Sequence, residues 1–202
     1  MVRGFQKALL LGKRDDQRAD ILIDLFDDLF QIYKSEICPQ NLKEFAAVIC
    51  TDSCWLNTTS AVEVFCYVLN GGRLICIAEG TDMHASQEMS NVIGARMEEH
   101  PAMTHLTYTP VCKYGDRLEQ ERFELVELPL RYKFDSYMER ITILTYRYGK
   151  LEFPAMWANE FGAGKVVCLA LGRDGSNLSQ LPVKRVLYRA TLWACGEEES
   201  PC

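Results

Sequence analysis

Residues 60–80 read SAVEVFCYVLNGGRLICIAEG, and the fold turns on this stretch. Ser60 and Glu63 fit a capping box, and Val64 and Val68 begin an apolar helical face. The helix should stop at Asn70-Gly71-Gly72, where glycine accepts the left-handed conformation that closes a helix. Arg73–Ala78 (RLICIA) then runs apolar without alternation, as a strand does when both of its faces are covered. A helix feeding such a strand is half of a parallel α/β unit.

Working toward the N-terminus, Lys7–Leu11 is another continuous aliphatic run, ending at Gly12. Leu22, Leu25, Phe26, Leu29 and Phe30 recur at helical spacing, with Asp20, Asp24, Asp27 and Asp28 on the opposite face. Gln31–Ile37 reads as a second strand and Phe45–Thr51 as a third, ending at Asp52 and Ser53. Another helical stretch is expected from about Ala85 to Met97. This order predicts a mostly parallel sheet covered on both faces, with right-handed crossovers.

Toward the C-terminus, residues 102–140 are less regular, with short β-like runs at His105–Thr109 and Phe123–Leu128. We read them as an excursion at the edge of the sheet. Strands are expected again at Ile141–Arg147, Phe153–Trp157 and Lys165–Leu171. A last helix begins near Pro182, a good first-turn residue. Its buried stripe is Val183, Val186, Leu187, Ala190 and Trp193 or Ala194. No repeat or linker divides the chain, so residues 1–202 are read as one domain.

The chain has 202 residues and is 48% hydrophobic, enough for one substantial core. Its net charge of −6 argues against nucleic-acid binding through a basic surface and against a basic membrane-surface protein. No apolar run approaches the ~20 residues of a membrane span. The N-terminal run is shorter than the ~7–15 residues of a signal-peptide core, and a cytoplasmic protein is expected. Nine cysteines at irregular spacing do not suggest a disulfide framework. Cys50, Cys66, Cys76 and Cys168 lie in apolar runs, where free cysteine acts as a small hydrophobe. No CxxC pair or nearby histidine completes a metal set, and no cofactor is expected.

In an open parallel sheet, ligands bind beyond the carboxyl ends of the strands. Here those ends are polar: Gly12, Lys13, Arg14 and Asp15; Asp52 and Ser53; Glu79, Gly80 and Thr81; Gly172, Arg173 and Asp174. Charges of both signs on one edge point to a site for a small polar molecule. The expected ligand-binding residues are Arg14, Asp52, Glu79, Trp157, Arg173 and Asp174, with the Trp157 indole stacking on a sugar ring. Tyr137 is a further aromatic of that kind. Cys54, after the third strand, is a candidate nucleophile, with packing under Trp55 as the blander account. His84, His100 and His105 are scattered and form no constellation.

Two segments carry a resemblance: Phe153–Asp174 (FPAMWANEFGAGKVVCLALGRD) and Gly71–Gly80. With the terminal RVLYRATLWACG they resemble the trehalose-utilisation (ThuA-like) family of the class I glutamine amidotransferase-like superfamily. The long segment is similar to the family pattern of Pro, two residues, Trp, then Gly-x-Gly-Arg/Lys-Val and a strand ending Leu-Gly-His-Asp. Asp135-Ser136-Tyr137 is similar to the family's Asp-Glu-x-Tyr element. Glu99-His100-Pro101 is similar to a His-Pro between the halves. The resemblance implies an α/β fold of three-layer αβα, flavodoxin-like type.

Departures from the family pattern bear on chemistry. In the amidotransferase relatives the fourth strand ends in Gly-x-Cys-x-Gly, with the nucleophile on a strained turn. The resemblance places Ala78 at that position, and alanine has no nucleophilic atom. Trehalose-utilisation relatives usually have histidine there. Arg173 stands where they have a second histidine; arginine keeps its proton and cannot act as a general base, but it can hold an anionic or polyhydroxylated ligand. Glu79 is the remaining candidate for chemistry, although a helix N-terminus favours its charged, anchoring form.

Three readings follow. One is a ThuA-like domain that binds a small polar ligand such as a carbohydrate derivative and lacks the nucleophile. Another is a hydrolase or isomerase acting on a modified sugar through Glu79 and Asp52 or Asp174. The third is a non-enzymatic interaction module, a homodimer among its forms.

Overall fold

The computed structural model describes residues 6–78, 86–99, 102–111, 122–173 and 175–198. Glu79, His84, His100 and Asp174 lie outside the described residues. The elements run β1 (Gln6–Leu11), α1 (Arg18–Leu25), β2 (Phe30–Ser35), β3 (Ala47–Cys50), α2 (Thr58–Leu69), β4 (Arg73–Ile77) and α3 (Gln87–Ile93). They continue β5 (Ala95–Glu99), β6 (Thr104–Pro110), β7 (Phe123–Glu127), β8 (Arg131–Phe134), β9 (Arg140–Tyr148), β10 (Leu151–Phe161), β11 (Gly164–Leu169) and α4 (Leu181–Cys195).

The main sheet has nine strands in the order β2-β1-β3-β4-β11-β10-β9-β6-β7. From β2 to β11 every pairing is parallel. From β11 to β7 every pairing is antiparallel. The expected mostly parallel sheet is therefore corrected to a mixed one. The reason is local: β10 and β11 are joined by a two-residue turn at Gly162 and Ala163, and so short a link permits only antiparallel neighbours.

The parallel half behaves as its apolar runs predict. Leu9, Leu10 and Leu11, Val48 and Ile49, and Leu74, Ile75 and Ile77 are all buried. Each such aliphatic side chain contributes about 1.5–3 kcal/mol of burial. On one face Ala8, Leu10, Ile49 and Ile77 pack with Ala19 and Leu22 of α1 and with Val183, Leu187 and Ala190 of α4. On the other, Leu9, Leu11, Val48 and Leu74 pack with Ala61, Val64 and Val68 of α2 and with Met89 and Val92 of α3. Alternate residues of each strand thus serve opposite helical layers.

Several boundaries differ from expectation. The capping box of α2 is Asn57 with Ser60, not Ser60 with Glu63: Asn57 Oδ1 accepts from Ser60 N at 3.0 Å, and Ser60 Oγ accepts from Asn57 N at 2.7 Å. Leu29 and Phe30 share a helical spacing with α1 but lie beyond it, because the chain turns at Phe26 and Phe30 opens β2. The helix expected over 85–97 is the shorter α3; it ends at Gly94, and Ala95–Glu99 becomes β5. Cys66, in an apolar run, is exposed on α2.

The described part of residues 102–140 is more regular than read. β6 and β7 pair antiparallel and extend the main sheet at its far edge. β8 instead pairs with β5 in a separate two-stranded sheet. That small sheet lays Tyr132 and Phe134 on Trp157, with ring centroids 5.0 and 5.2 Å apart.

Candidate functional site

The parallel strands all point their carboxyl ends to one edge. The chain leaves β1 in one direction to reach β2 and crosses back to reach β3, so the switch of direction falls between β1 and β3. A crevice is expected at such a point. The loops that meet there are residues 12–17 after β1 and 51–57 after β3.

Gly12 makes this meeting close. A Cβ on Gly12 would lie 2.2 Å from Thr51 Oγ1, a separation no side chain tolerates. The two loops are then stapled by Asp52. Its Oδ2 accepts from Lys13 N at 3.0 Å and its Oδ1 from Cys54 N at 2.7 Å. Its own carbonyl accepts from Trp55 Nε1 at 2.8 Å. Asp52 is buried with both oxygens engaged by backbone, so it braces the floor of the crevice and is not presented to a ligand. That corrects its expected role, and it follows from a rule of loops: an aspartate before a helix serves neighbouring N–H groups first.

Asp16 does comparable work for α1. Its Oδ1 accepts from Arg18 N at 3.0 Å and from Arg18 Nε at 2.8 Å. The pair is mostly buried, with side chains 6% and 9% exposed. Burial by itself pushes the Asp16 carboxyl up, but the hydrogen bonds from Arg18 and the Thr51 hydroxyl beside it outweigh this and hold it below the usual value.

Above this floor lies a cleft of about 520 Å³ lined by Lys13, Arg14, Asp15, Asp16, Gln17, Arg18, Glu36 and Arg173. Glu36 Oε1 accepts from Arg14 N at 2.9 Å, closing one wall. Of the expected ligand residues, Arg14 and Arg173 are thus brought together, although 159 positions separate them in the chain.

At the end of β4, Ala78 has φ of 49°, and among the described residues no other non-glycine residue has positive φ. It is fully buried. A left-handed backbone costs a residue with a Cβ about 1–2 kcal/mol, so this is a strained bend. It falls at the position where the sequence resemblance placed the nucleophile turn.

Trp157 is a correction. It is 0% exposed, its Nε1 donates to Ile93 O at 3.1 Å, and Tyr132 and Phe134 cover its ring. The expected strand ended at Trp157, but β10 runs on to Phe161, which leaves Trp157 in mid-strand opposite Cys168. It has no ring face for a sugar. Cys54 is exposed, but its thiol is pushed up to about 11 by partial burial and by the Asp52 carboxylate, a poor setting for a nucleophile at neutral pH. His105 lies on β6 opposite Val126, in the antiparallel half. Tyr137 is 96% exposed in the turn between β8 and β9.

Sequence reasoning missed Asp16, Arg18 and Glu36. The first two were legible as an acid-x-base pair at a helix start; Glu36 follows the one parallel strand whose carboxyl end was not considered. It also missed Glu127 of β7, which is 2% exposed. Glu127 Oε2 accepts from Gly172 N at 2.9 Å and from Asn177 Nδ2 at 2.9 Å, and Oε1 accepts from Leu128 N at 3.1 Å. No local pattern marks an acid inside a strand for such work.

No curated protein matches the chain. Among solved structures it is similar to a ThuA-like protein from Parabacteroides merdae, with TM-score 0.75 and 12% identity over 96% of this chain and 91% of that one. A ThuA-like protein from Bacteroides uniformis gives TM-score 0.65 and 13% identity over 94% of each chain. A cold-adapted β-galactosidase from Rahnella sp. R3 gives TM-score 0.69 and 14% identity over 94% of this chain but 31% of its own. At such identities these likenesses establish the α/β fold. The family described as trehalose utilisation matches residues 28–194. That match spans β2 through most of α4, and on it the chain belongs to the ThuA family.

Proposed function

We propose that this ThuA-like domain binds a small polar ligand, a carbohydrate derivative, in the cleft beyond β1, β2 and β11, and that it does so without the nucleophile of the amidotransferase relatives. The observation that carries the reading is Ala78: the strained bend at the end of β4 ends in a methyl group. A covalent acyl route needs a nucleophilic atom there. What remains at the rim is a polar cleft with side chains suited to holding hydroxyl and acidic groups.

The strand order β2-β1-β3-β4-β11, with helices on both faces, supports reading the parallel half as the three-layer flavodoxin-like arrangement of the superfamily. The family description supports a carbohydrate over other polar molecules. Acid–base chemistry between Glu79 and Asp52 draws no support, since both Asp52 oxygens already accept backbone hydrogen bonds. A cytoplasmic setting accords with the cysteines among the described residues, which stand as free thiols. No helix among the described residues is long and apolar enough to cross a membrane.

The test is a thermal-shift panel of mono- and disaccharides, sugar acids and sugar phosphates at millimolar concentration. At least one class should raise the melting temperature by several degrees, since saturation far above Kd adds stability. A panel with no shift in any class overturns the reading.

A further inference from the structure

The charges in the cleft narrow the ligand class, resting on the site proposed above. Four of the eight lining residues are cations, on a chain whose net charge is −6. Arg18 is committed to Asp16. Lys13, Arg14 and Arg173 lie at exposed positions of the lining, which they share with Asp15 and Glu36. Glu36 is already drawn down onto the Arg14 N–H.

The backbone of the loop adds a second constraint. In many α/β proteins the first loop offers its N–H groups to a phosphate. Here Lys13 N donates to Asp52, Arg14 N to Glu36, Asp16 N to the Lys13 carbonyl and Arg18 N to Asp16. The chain's own carboxylates take three of these four N–H groups and a carbonyl takes the other. An incoming anion would therefore be held by side chains on the walls, not by the turn beneath. The Lys13 and Arg14 backbones are fixed by those same bonds, which directs their side chains from a rigid base.

We infer that the cleft takes a carbohydrate bearing an oxyanion group, held through Lys13, Arg14 and Arg173. A phosphate and a carboxylate share the chemistry that these cations recognise: both present paired oxygens to a guanidinium.

Isothermal titration on the full chain tests this with four probes at low ionic strength: glucose, glucose 6-phosphate, glucuronate and inorganic phosphate. Glucose 6-phosphate or glucuronate should bind at least tenfold tighter than glucose, and 0.5 M salt should erase most of the difference. The two anionic sugars separate phosphate from carboxylate. Lys13→Gln with Arg14→Gln, both on exposed loop positions, should bring the affinities for the anionic sugars down to that for glucose. Equal affinity for glucose and both anionic sugars overturns the inference while the ligand site stands. Binding of inorganic phosphate with no sugar bound overturns the carbohydrate reading and leaves the anion site. An anion preference that persists in the double variant overturns the placement. Absence of binding by all four probes overturns both.

Discussion

Glu127 Oε2 accepts the backbone N–H of Gly172 at 2.9 Å, which ties the outermost strand of the antiparallel half to the loop that carries Arg173. The same oxygen accepts from Asn177 Nδ2, and Asn177 Nδ2 also donates to the Val126 carbonyl. The edge strand β7 is therefore part of the frame of the rim, which Val126 and Glu127 brace.

Replacing Glu127 by glutamine turns one of its acceptors into a donor facing other donors. A buried polar group left unsatisfied costs about 1–3 kcal/mol, so Glu127→Gln should lower unfolding stability by that amount. Urea denaturation measures it. Asn177→Ala should cost less, and the double variant should cost less than the sum, because the two share one network. Full additivity would separate Glu127 from the loop it is argued to hold.

Ala78 gives a contrast of size. Its φ of 49° suits glycine and tolerates alanine, but a β-branched side chain there meets both strain and a packed core. Ala78→Val should destabilise by about 2–4 kcal/mol, and Ala78→Gly should stay within about 1 kcal/mol of the parent, strain relief offsetting added chain entropy and the lost methyl. If Val and Gly behaved alike in thermal unfolding, the bend would not be strained.

The parallel half of the fold was legible because its strands are continuous apolar runs closed by glycine or polar rims. Lys7–Leu11, Phe45–Thr51 and Arg73–Ala78 each contain the observed strand, or fall within one residue of it. The antiparallel half was not, because β6 to β8 mix polar and apolar residues over short lengths, and nothing local says which strand each will pair with. The site divides in the same way. Arg14 and Arg173 follow from the rule that strand ends carry ligands. Asp52 obeys the same rule by position and yet serves its neighbours' N–H groups, and Trp157 fails it because β10 runs on to Phe161 and leaves it buried in mid-strand.

The crowding at Gly12 predicts a coupled pair. Gly12→Ala places a Cβ 2.2 Å from Thr51 Oγ1 and should cost about 1–3 kcal/mol as overpacking. Thr51→Ala removes that oxygen, leaving the next contact at 3.6 Å or beyond, so the double variant should recover most of the loss. A double-mutant cycle by chemical denaturation reads the coupling. Independent effects would place the strain elsewhere.

Asp16 sets a limit at low pH. Its folded-state carboxyl lies below the value of about 3.9 expected of an unfolded aspartate, so its contribution is fully present above that value. It fades as pH falls through the lower folded-state value, when the proton displaces Arg18 from the carboxylate. Asp16→Asn should lower stability at pH 7 and flatten this part of the acid limb, visible in melting temperatures between pH 5 and 2. A variant whose acid limb matches the parent's would mean the Asp16–Arg18 pair does not titrate with folding.

The thiols predict an order of modification. Cys50, Cys76 and Cys168 stand side by side in register on β3, β4 and β11, fully buried. Burial and the neighbouring Cys76 push Cys50 and Cys168 far up, and no reagent reaches any of the three. Cys54 and Cys66 are both exposed, but the Cys54 thiol sits at about 11, raised by partial burial and by the Asp52 carboxylate against the pull of Lys13. The thiolate is the reacting form, so at pH 8 only about one Cys54 in a thousand is reactive. Of these five thiols, N-ethylmaleimide should therefore label Cys66 first and Cys54 slowly, with the three strand cysteines labelled only after denaturation. From pH 8 to pH 9 the Cys54 rate should rise about tenfold, as it must well below its midpoint. Peptide mass spectrometry over time distinguishes the sites. Rapid labelling of Cys54 at pH 7 would instead reveal an activated thiol beside the cleft, and would reopen covalent chemistry at β3 for a domain whose β4 bend offers only a methyl.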